Sequence, residues 1–229
     1  MAYSLCIDIG GTFTDCVVAD ADGEIAIFKA RSTPAAFERG FLDVLSIAAA
    51  HYGRDLAGFL AEVDKIVHGT TVATNALIEG KVACVGFITN EGFPDILTLR
   101  EGPRKRAFEW RLDFPAPLVP PNLTRTVAGR IDALGAEIQP LDEGDVLAAI
   151  ERFRRLEVEA VGVCLLWSIV NGAHERRVAR IIEREWPGLP VTLSHELNPI
   201  SREYRRAVST VIDASLHTIV GAYVGVLTR

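Results

Sequence analysis

The stretch "CIDIGGTFTDCVVADADGEI" (Cys6–Ile25) decides how this 229-residue chain is read. Two short apolar runs enclose "DIGGTFTD" (Asp8–Asp15), a turn with two glycines, two threonines and an aspartate at each end. A plain hairpin asks for glycine where φ is positive, which explains the glycines. It does not explain an acid on each side of the turn, beside apolar strands where burying charge is costly. A turn that holds a phosphate explains both. Gly10 and Gly11 let the backbone turn sharply and approach a ligand, and the freed amides form an anion-binding nest. The hydroxyls of Thr12 and Thr14 can donate to phosphate oxygens. Asp8 is the candidate Mg²⁺ ligand, directly or through water, and Asp15 shares that role or anchors the turn. No Walker A pattern occurs, and no G-x-G-x-x-G follows the first strand, so P-loop and Rossmann sites are disfavoured.

Outward from this turn, residues 3–9, 14–20 and 25–30 read as three successive strands, the last two joined at Asp22-Gly23. Phe37, Phe41, Val44, Leu45 and Ala48 recur at helical spacing, with Gly53 as a stop. "KIVHG" (65–69) predicts a strand, "TVATNALIEG" (71–80) a helix and "VACVGFITN" (82–90) a strand. At the strand–helix junction, Gly69, Thr70 and Thr71 offer amides and hydroxyls to an anion, and Asn75 lies one turn further on. The alternative is a threonine helix cap beside a packed His68. His68 and Asn75 are the candidate catalytic residues.

Residues 100–125 hold five prolines and a basic cluster, and predict a long loop. Arg100, Glu101, Arg104 and Arg106 there either cover a substrate or form a solvated basic surface. "TRTVAGRID" (124–132) predicts a strand. Asp142 is placed to cap a helix with Val146, Ala149, Ile150 and Phe153 on one face. "EAVGVCLLWSI" (159–169) reads as a strand buried on both faces. A helix over 174–186 and a strand over 190–197 follow. Ser201 is placed to cap a long helix, with an apolar stripe from Tyr204 to Leu227. His174-Glu175 reads as structural, His195-Glu196 as a weaker candidate at a strand end, and Arg202, Glu203 and Arg205 as helix-surface charge pairs.

Composition narrows the function. Hydrophobic residues make up 49% of the chain, enough for a sizeable core, and the net charge of −6 argues against nucleic-acid binding. Apolar runs such as Ala160–Trp167 are too short to span a bilayer, and no basic segment precedes an apolar one at the start. No membrane partner and a cytoplasmic location are expected. Cys6, Cys16, Cys84 and Cys164 are widely spaced in apolar runs and predict buried free thiols.

Strand, "DIGGTFTD", strand, hairpin, strand and helix resemble the first phosphate motif of the actin, sugar-kinase and heat-shock-chaperone ATPase superfamily. "HGTTVATNALIEGK" (68–81), "GFPDILTLR" (92–100), "GVCLLWSIVNGAHERRV" (162–178) and "SREYRRAVSTVIDA" (201–214) narrow the likeness. Together they resemble the N-terminal domain of the hydantoinase A / 5-oxoprolinase family, which includes N-methylhydantoinase and the acetone and acetophenone carboxylase subunits. The resemblance implies an α/β fold, the ribonuclease-H-like half of an actin/sugar-kinase-type ATPase, with a mixed sheet and flanking helices. It implies ATP and Mg²⁺, and transfer of a phosphoryl group to a carbonyl oxygen of a small cyclic amide before ring opening. The same ATP chemistry serves a carboxylase subunit that forms carboxyphosphate, and a non-enzymatic nucleotide-binding or assembly module is the third reading. The family also implies a second phosphate motif in a following domain and a hydantoinase B-type partner subunit or domain. The chain itself shows one such motif. On this reading residues 1–64 are the phosphate-binding segment, 65–200 are family-specific α/β segments, and 201–229 form a helix leading toward the second domain. Alone, the chain is expected to bind nucleotide weakly.

Overall fold

The computed structural model describes residues 2–33, 37–101 and 115–227. Arg104 and Arg106 lie outside the described residues. The chain divides into two compact units, Met1–Val82 with Thr218–Arg229, and Ala83–His217.

The first unit is built on β1 (Tyr3–Ile9), β2 (Phe13–Ala19), β3 (Ile25–Arg31) and β4 (Val63–Thr70), in the order β3-β2-β1-β4. The first three strands form an antiparallel meander, and β4 adds parallel to β1. This is the expected mixed sheet. The Asp20 side chain closes the β2–β3 turn by accepting from Asp22 N and Glu24 N, both at 3.0 Å, and Gly23 supplies φ 84°. Helices α1 (Phe37–His51) and α2 (Leu56–Ala61) connect β3 to β4, and α3 (Val72–Glu79) follows β4, ending at left-handed Gly80.

Strand alternation decides which side chains are available for chemistry. Leu5, Ile7 and Ile9 of β1 and Cys16 and Val18 of β2 are buried in one cluster with Val44, Leu45 and Ala48 of α1 and Phe59 of α2. Each such side chain contributes about 2 kcal/mol of apolar burial before entropy is counted. The intervening residues Cys6 and Asp8 face the other way and are exposed.

The second unit is built on a wholly parallel sheet, β10-β9-β5-β6. Its strands are β5 (Val85–Asn90), β6 (Thr124–Val127), β9 (Ala160–Val163) and β10 (Val191–Leu193), and β7 (Arg130–Ile131) pairs separately with β8 (Glu137–Gln139). Helices α5 (Glu143–Arg155) and α6 (Ala173–Glu185) pack Val146, Ile150, Phe153, Val178, Ile181 and Ile182 against Ile88, Val161 and Val163. Both central strands, β5 and β9, are buried along their whole length, as continuous apolar runs require. Asp142 caps α5 as expected, accepting from Gly144 N at 2.7 Å. Two single-turn helices, α4 (Ile96–Leu99) and α7 (Ser194–Leu197), and the long α8 (Glu203–Leu227) complete the order.

Several expectations are corrected. The strand read over 159–169 stops at Val163, because the amides of Leu165 and Leu166 turn to the side chains of Glu175 and Asn90 instead of a neighbouring strand. The strand read over 190–197 stops at Leu193 and becomes α7 where the His195 amide meets Glu175. "TRTVAGRID" breaks at Gly129, whose φ of 144° turns the chain from β6 into the small β7–β8 ribbon. Ser201 does not start α8 directly, since Arg202 with φ 73° stands between. All four cysteines are free, but only Cys16 and Cys164 are buried, because the alternation of β1 leaves Cys6 on the open face.

Among the described residues, α8 is long and apolar enough by length and composition to cross a membrane, over Glu203–Gly225. Its own face argues for a core helix, since it buries Arg206, Ala207, Thr210, Val211 and Ala214. The apolar stripe expected along it, Val208, Ile212 and Leu216, is half-buried.

Candidate phosphate site

The turn between β1 and β2 opens onto a cleft of about 330 Å³ in the first unit. Gly10 and Gly11 form one wall, and Val72, Asn75, Ala76 and Glu79 of α3, with Lys81 and Ile219, form the rest. The glycines are there for space. Neither has a positive φ. A Cβ on Gly10 would stand 3.0 Å from the carbonyl oxygen of Phe13, and one on Gly11 would stand 3.3 Å from Asn75 Nδ2. A side chain at Gly10 would press on the turn's own backbone, and one at Gly11 would need the Asn75 side chain to give by a few tenths of an ångström. The hairpin explanation based on positive φ therefore fails at both positions.

Two backbone donors in the turn are uncommitted among the described residues. Gly10 N donates to Phe13 O at 3.0 Å, while the amides of the exposed Gly11 and Thr12 have no acceptor among the described residues. Across the cleft, Asn75 Nδ2 donates to Thr71 Oγ1 at 3.2 Å, so Thr71 orients the amide instead of capping α3. Thr70 Oγ1 accepts from Val72 N at 3.2 Å and donates to Ile9 O at 3.4 Å, and Thr71 N reaches the same carbonyl at 3.4 Å. The two loops thus meet at the last residue of β1. The structure brings Gly10, Gly11 and Asn75 to the cleft and sets Thr70 and Thr71 at the adjoining junction with β1.

The acids separate. Asp8 and Asp15 are opposed across β1 and β2. Asp15 is bridged to Lys29 at 3.0 Å, and Lys29 lies over the Phe13 ring. Asp8 is exposed, makes no ion pair among the described residues, and lies near Gly69, where a Cβ would come within 3.6 Å of its Oδ1. An exposed carboxylate without an ion pair among the described residues is compatible with Mg²⁺, which takes one or two carboxylates together with phosphate oxygens and water, so Asp8 fits that ion. Asp15 instead anchors the sheet.

Two candidates lie elsewhere. Thr14 is fully buried, and its hydroxyl is hydrogen-bonded to Ser32 Oγ at 3.0 Å. Even-numbered residues of β2 face α1, so Thr14 is turned away from the face that carries Asp8 and Asp15. His68 is opposed to Ile7 and shares the buried side with it. It packs edge-on against Phe41, stacks on Tyr223 and is hydrogen-bonded through Nε2 to the Tyr223 hydroxyl. His68 does not line the cleft.

Sequence reading missed Tyr223 and Lys81. Burial raises the pKa of the Tyr223 hydroxyl, a hydrogen bond with Thr70 opposes that, and the charge of Asp8 raises it further. Tyr223 had been hidden in an apolar helix stripe, where a tyrosine carries no separate signal. Lys81, one residue past the stop at Gly80, is paired with Glu79 at 2.8 Å, which raises its pKa.

In the second unit the polar residues close on one another. Glu175 is fully buried and accepts from Leu165 N at 2.8 Å, Ser194 Oγ at 2.6 Å, and His195 N and Nδ1 at 3.1 and 2.6 Å. Burial alone would raise its carboxyl, but these donors together hold it below the ordinary carboxylate range. Arg206, also fully buried, donates to Ser194 Oγ, Ile200 O and Leu165 O. His174 is bonded to Glu137 at 2.5 Å. With its polar groups satisfied, this network is structural, and His195 belongs to it. Arg202 and Arg205 pair with Glu101 and not with Glu203. Arg100 reaches the carbonyls of Pro115 and Ala116.

The profile of the hydantoinase/oxoprolinase N-terminal region matches residues 4–186. The alpha subunit of caprolactamase from Pseudomonas jessenii is 39% identical over 224 residues, which is 97% of this chain and 32% of that protein. The crystal structure of the ATP-dependent caprolactamase from the same organism superposes with a TM-score of 0.87 at 38% identity, covering 98% of this chain and 33% of that one. The acetophenone carboxylase gamma subunit of Aromatoleum aromaticum is 35% identical, over 93% of this chain and 31% of that protein. The chain thus spans about a third of the length of these relatives. With a profile matched over most of its length and relatives 39% and 35% identical across nearly all of it, the chain belongs to the hydantoinase/oxoprolinase family and corresponds to its N-terminal region.

Proposed function

We propose that this chain is the phosphate-binding N-terminal part of an ATP-dependent enzyme that opens a small cyclic amide, of the hydantoin, 5-oxoproline or lactam class. The observation that supports it is the cleft at Gly10-Gly11, walled in part by Asn75, with the uncommitted amides of Gly11 and Thr12 in the turn and the exposed Asp8 carboxylate on the preceding strand beside Gly69. The amides of Gly11 and Thr12 and the hydroxyl of Thr12 bind phosphate oxygens, and Thr70 and Thr71 hold the facing wall. Asp8 is the ligand for Mg²⁺, which when bound neutralises charge on the phosphates. Phosphoryl transfer makes a bond from phosphorus to the amide oxygen and breaks the bond to the ADP oxygen. Water then attacks the amide carbon and the ring C–N bond breaks, its electron pair and a proton going to the nitrogen, which leaves an acyl phosphate; a second water hydrolyses that to the carboxylate and inorganic phosphate. The second phosphate motif, the adenosine contacts and a hydantoinase B-type partner belong to the rest of a longer protein, in the cytoplasm.

A carboxylase subunit making carboxyphosphate is the second reading, favoured by the likeness to acetophenone carboxylase. One assay separates the two. The full-length protein is expected to hydrolyse ATP in response to 5-oxoproline, a hydantoin or caprolactam. Stimulation only by bicarbonate with a ketone would move the assignment to the carboxylases. Unchanged activity in Asp8→Ala would remove the phosphate-site reading and favour a non-enzymatic assembly module.

A further inference from the structure

We propose that Lys81 binds a phosphate group of the nucleotide through its ammonium, and that it does so by leaving Glu79, the carboxylate that otherwise holds it at the cleft. This rests on the phosphate-site reading above. The inference starts from the wall of the cleft. Val72, Asn75, Ala76 and Glu79 stand at i, i+3, i+4 and i+7, so one face of α3 lines it. Glu79 is out of place there twice over. It is the last residue of α3, where the helix dipole disfavours an acid, and it faces a cleft read as holding an anion. Its carboxylate is bridged to Lys81 Nζ at 2.8 Å, and both residues line the same cleft.

The position of Lys81 is set by the end of the helix. Gly80 turns the backbone at φ 67°, and Lys81 N donates to Ala76 O at 2.9 Å. That cap fixes the point from which the lysine stem leaves the chain. Of the residues that line the cleft, Lys81 alone carries a positive charge. Glu79 raises its pKa, so the ammonium is protonated at neutral pH. The other groups read as meeting phosphate are the neutral amides of Gly11 and Thr12 and the neutral Asn75 side chain.

The exchange is favoured by the weakness of the pair that it breaks. Both side chains are exposed, and a lysine–glutamate pair in water is screened and adds little to stability. A phosphate group offers more charge and more acceptor oxygens than one carboxylate, and an ammonium on a flexible stem meets it as a point charge. No proton moves and no covalent bond forms. Glu79 returns to water, and its charge then opposes the phosphate beside it. Glu79 is therefore a competitor of the nucleotide as well as the holder of Lys81.

Labelling of the full-length protein reads the contact without measuring activity. With Mg²⁺ and the non-hydrolysable analogue AMP-PNP, acetic anhydride should modify Lys81 about tenfold more slowly than without them, scored by mass spectrometry. Lys29 and Lys65, which do not line the cleft, should keep their rates. An unchanged rate at Lys81, or equal slowing at all three lysines, would overturn the proposal. This test uses the parent protein, so it stands whatever a substitution does to folding. Calorimetry with AMP-PNP gives the second measurement. Lys81→Met should bind about tenfold more weakly, Lys81→Arg should recover most of the loss, and Glu79→Gln should bind about threefold more tightly. Binding by Lys81→Met within about twofold of the parent would overturn the proposal. So would Glu79→Gln weakened as far as Lys81→Met, since Glu79 would then be a ligand and not a competitor. The carboxylate of 5-oxoproline is another anion for the same ammonium. In steady-state kinetics, a rise in KM for 5-oxoproline with KM for ATP unchanged in Lys81→Met would assign Lys81 to the amide substrate and overturn the proposal. Asp8→Ala separates this failure from that of the site. If Asp8→Ala abolishes ATP hydrolysis while Lys81→Met changes nothing, only the present inference falls, and if neither changes it, the phosphate-site reading falls as well.

Discussion

Thr14 and Asp8 show how much one residue's side of a strand decides. Both stood in the same motif, and strand alternation points them to opposite faces of the sheet. Thr14→Val should therefore cost about 1 kcal/mol in urea unfolding, from the bond to Ser32, and leave ATP hydrolysis by the full-length protein unchanged within about twofold. Asp8→Asn should lower that activity by about a hundredfold or more at unchanged stability. The cysteines give a second check at this scale. Burial pushes the Cys16 thiol up to about 11 and the Cys164 thiol up to about 12, so neither supplies thiolate near neutral pH. Iodoacetamide should modify the exposed Cys6 in the folded protein and reach Cys16 and Cys164 only after unfolding. Alkylation of Cys164 at the rate of Cys6 would contradict the packing around it. The sequence supplied the identity of the turn residues, the glycines and Asp8 above all. Which threonine faced the ligand required the register of β2, and a motif without its pairing does not carry that.

At the scale of elements, the junction of β9, α6 and β10 turns on one carboxylate. Glu175 sits at the start of α6, where the helix dipole favours an acid, and its four donors come from the ends of β9 and β10. Its carboxyl is held below the ordinary range, so the ionised form is the one the fold stabilises. That contribution is complete above the unfolded carboxyl value and is lost as the pH falls through the lower folded one. Glu175→Gln should destabilise the protein at pH 7 by about 3 kcal/mol, measured by urea unfolding. The gap between the two proteins should narrow on acidification below about pH 4.5, where the unfolded carboxyl begins to protonate. A gap independent of pH down to the acid transition would mean that the charge is not what holds the junction. This region also marks where sequence reading ran out. Hydrophobic periodicity found the longer helices and the strands of both main sheets but not the short α2, α4, α7 and β8, and the caps at Asp142 and Gly80 stand where expected. The apolar runs 159–169 and 190–197 looked like long strands because a buried loop and a buried strand share one composition. What ends them is a side chain from another element, Glu175, and local pattern does not register it.

For the molecule as a whole, the order of motifs made the family legible before any coordinates, and the mixed sheet of the first unit follows that order. The polar network of the second unit and the contact of Tyr223 with His68 were not legible, because both depend on residues far apart in sequence. The same contrast bears on affinity. On the proposed reading a nucleotide phosphate would meet one wall in this chain, with the amides of Gly11 and Thr12, Asn75 and the exposed Asp8 carboxylate. Few of its oxygens would be removed from water, and exposed ionic contacts contribute little each. Charge also works against it, since the chain carries a net −6. The 229-residue chain should therefore bind Mg²⁺-ATP with a Kd of about 1 mM or weaker, or roughly −4 kcal/mol. The relatives are about three times as long, and a protein of that length can close a second wall over the nucleotide and bind it in the micromolar range typical of enzyme substrates. Isothermal calorimetry on the 229-residue chain and on the full-length protein makes the comparison. Micromolar binding by the short chain that survives Asp8→Ala would place the nucleotide somewhere other than the Gly10-Gly11 cleft. Micromolar binding that Asp8→Ala abolishes would mean that this one wall suffices, and the weak-binding argument would fall while the site stood.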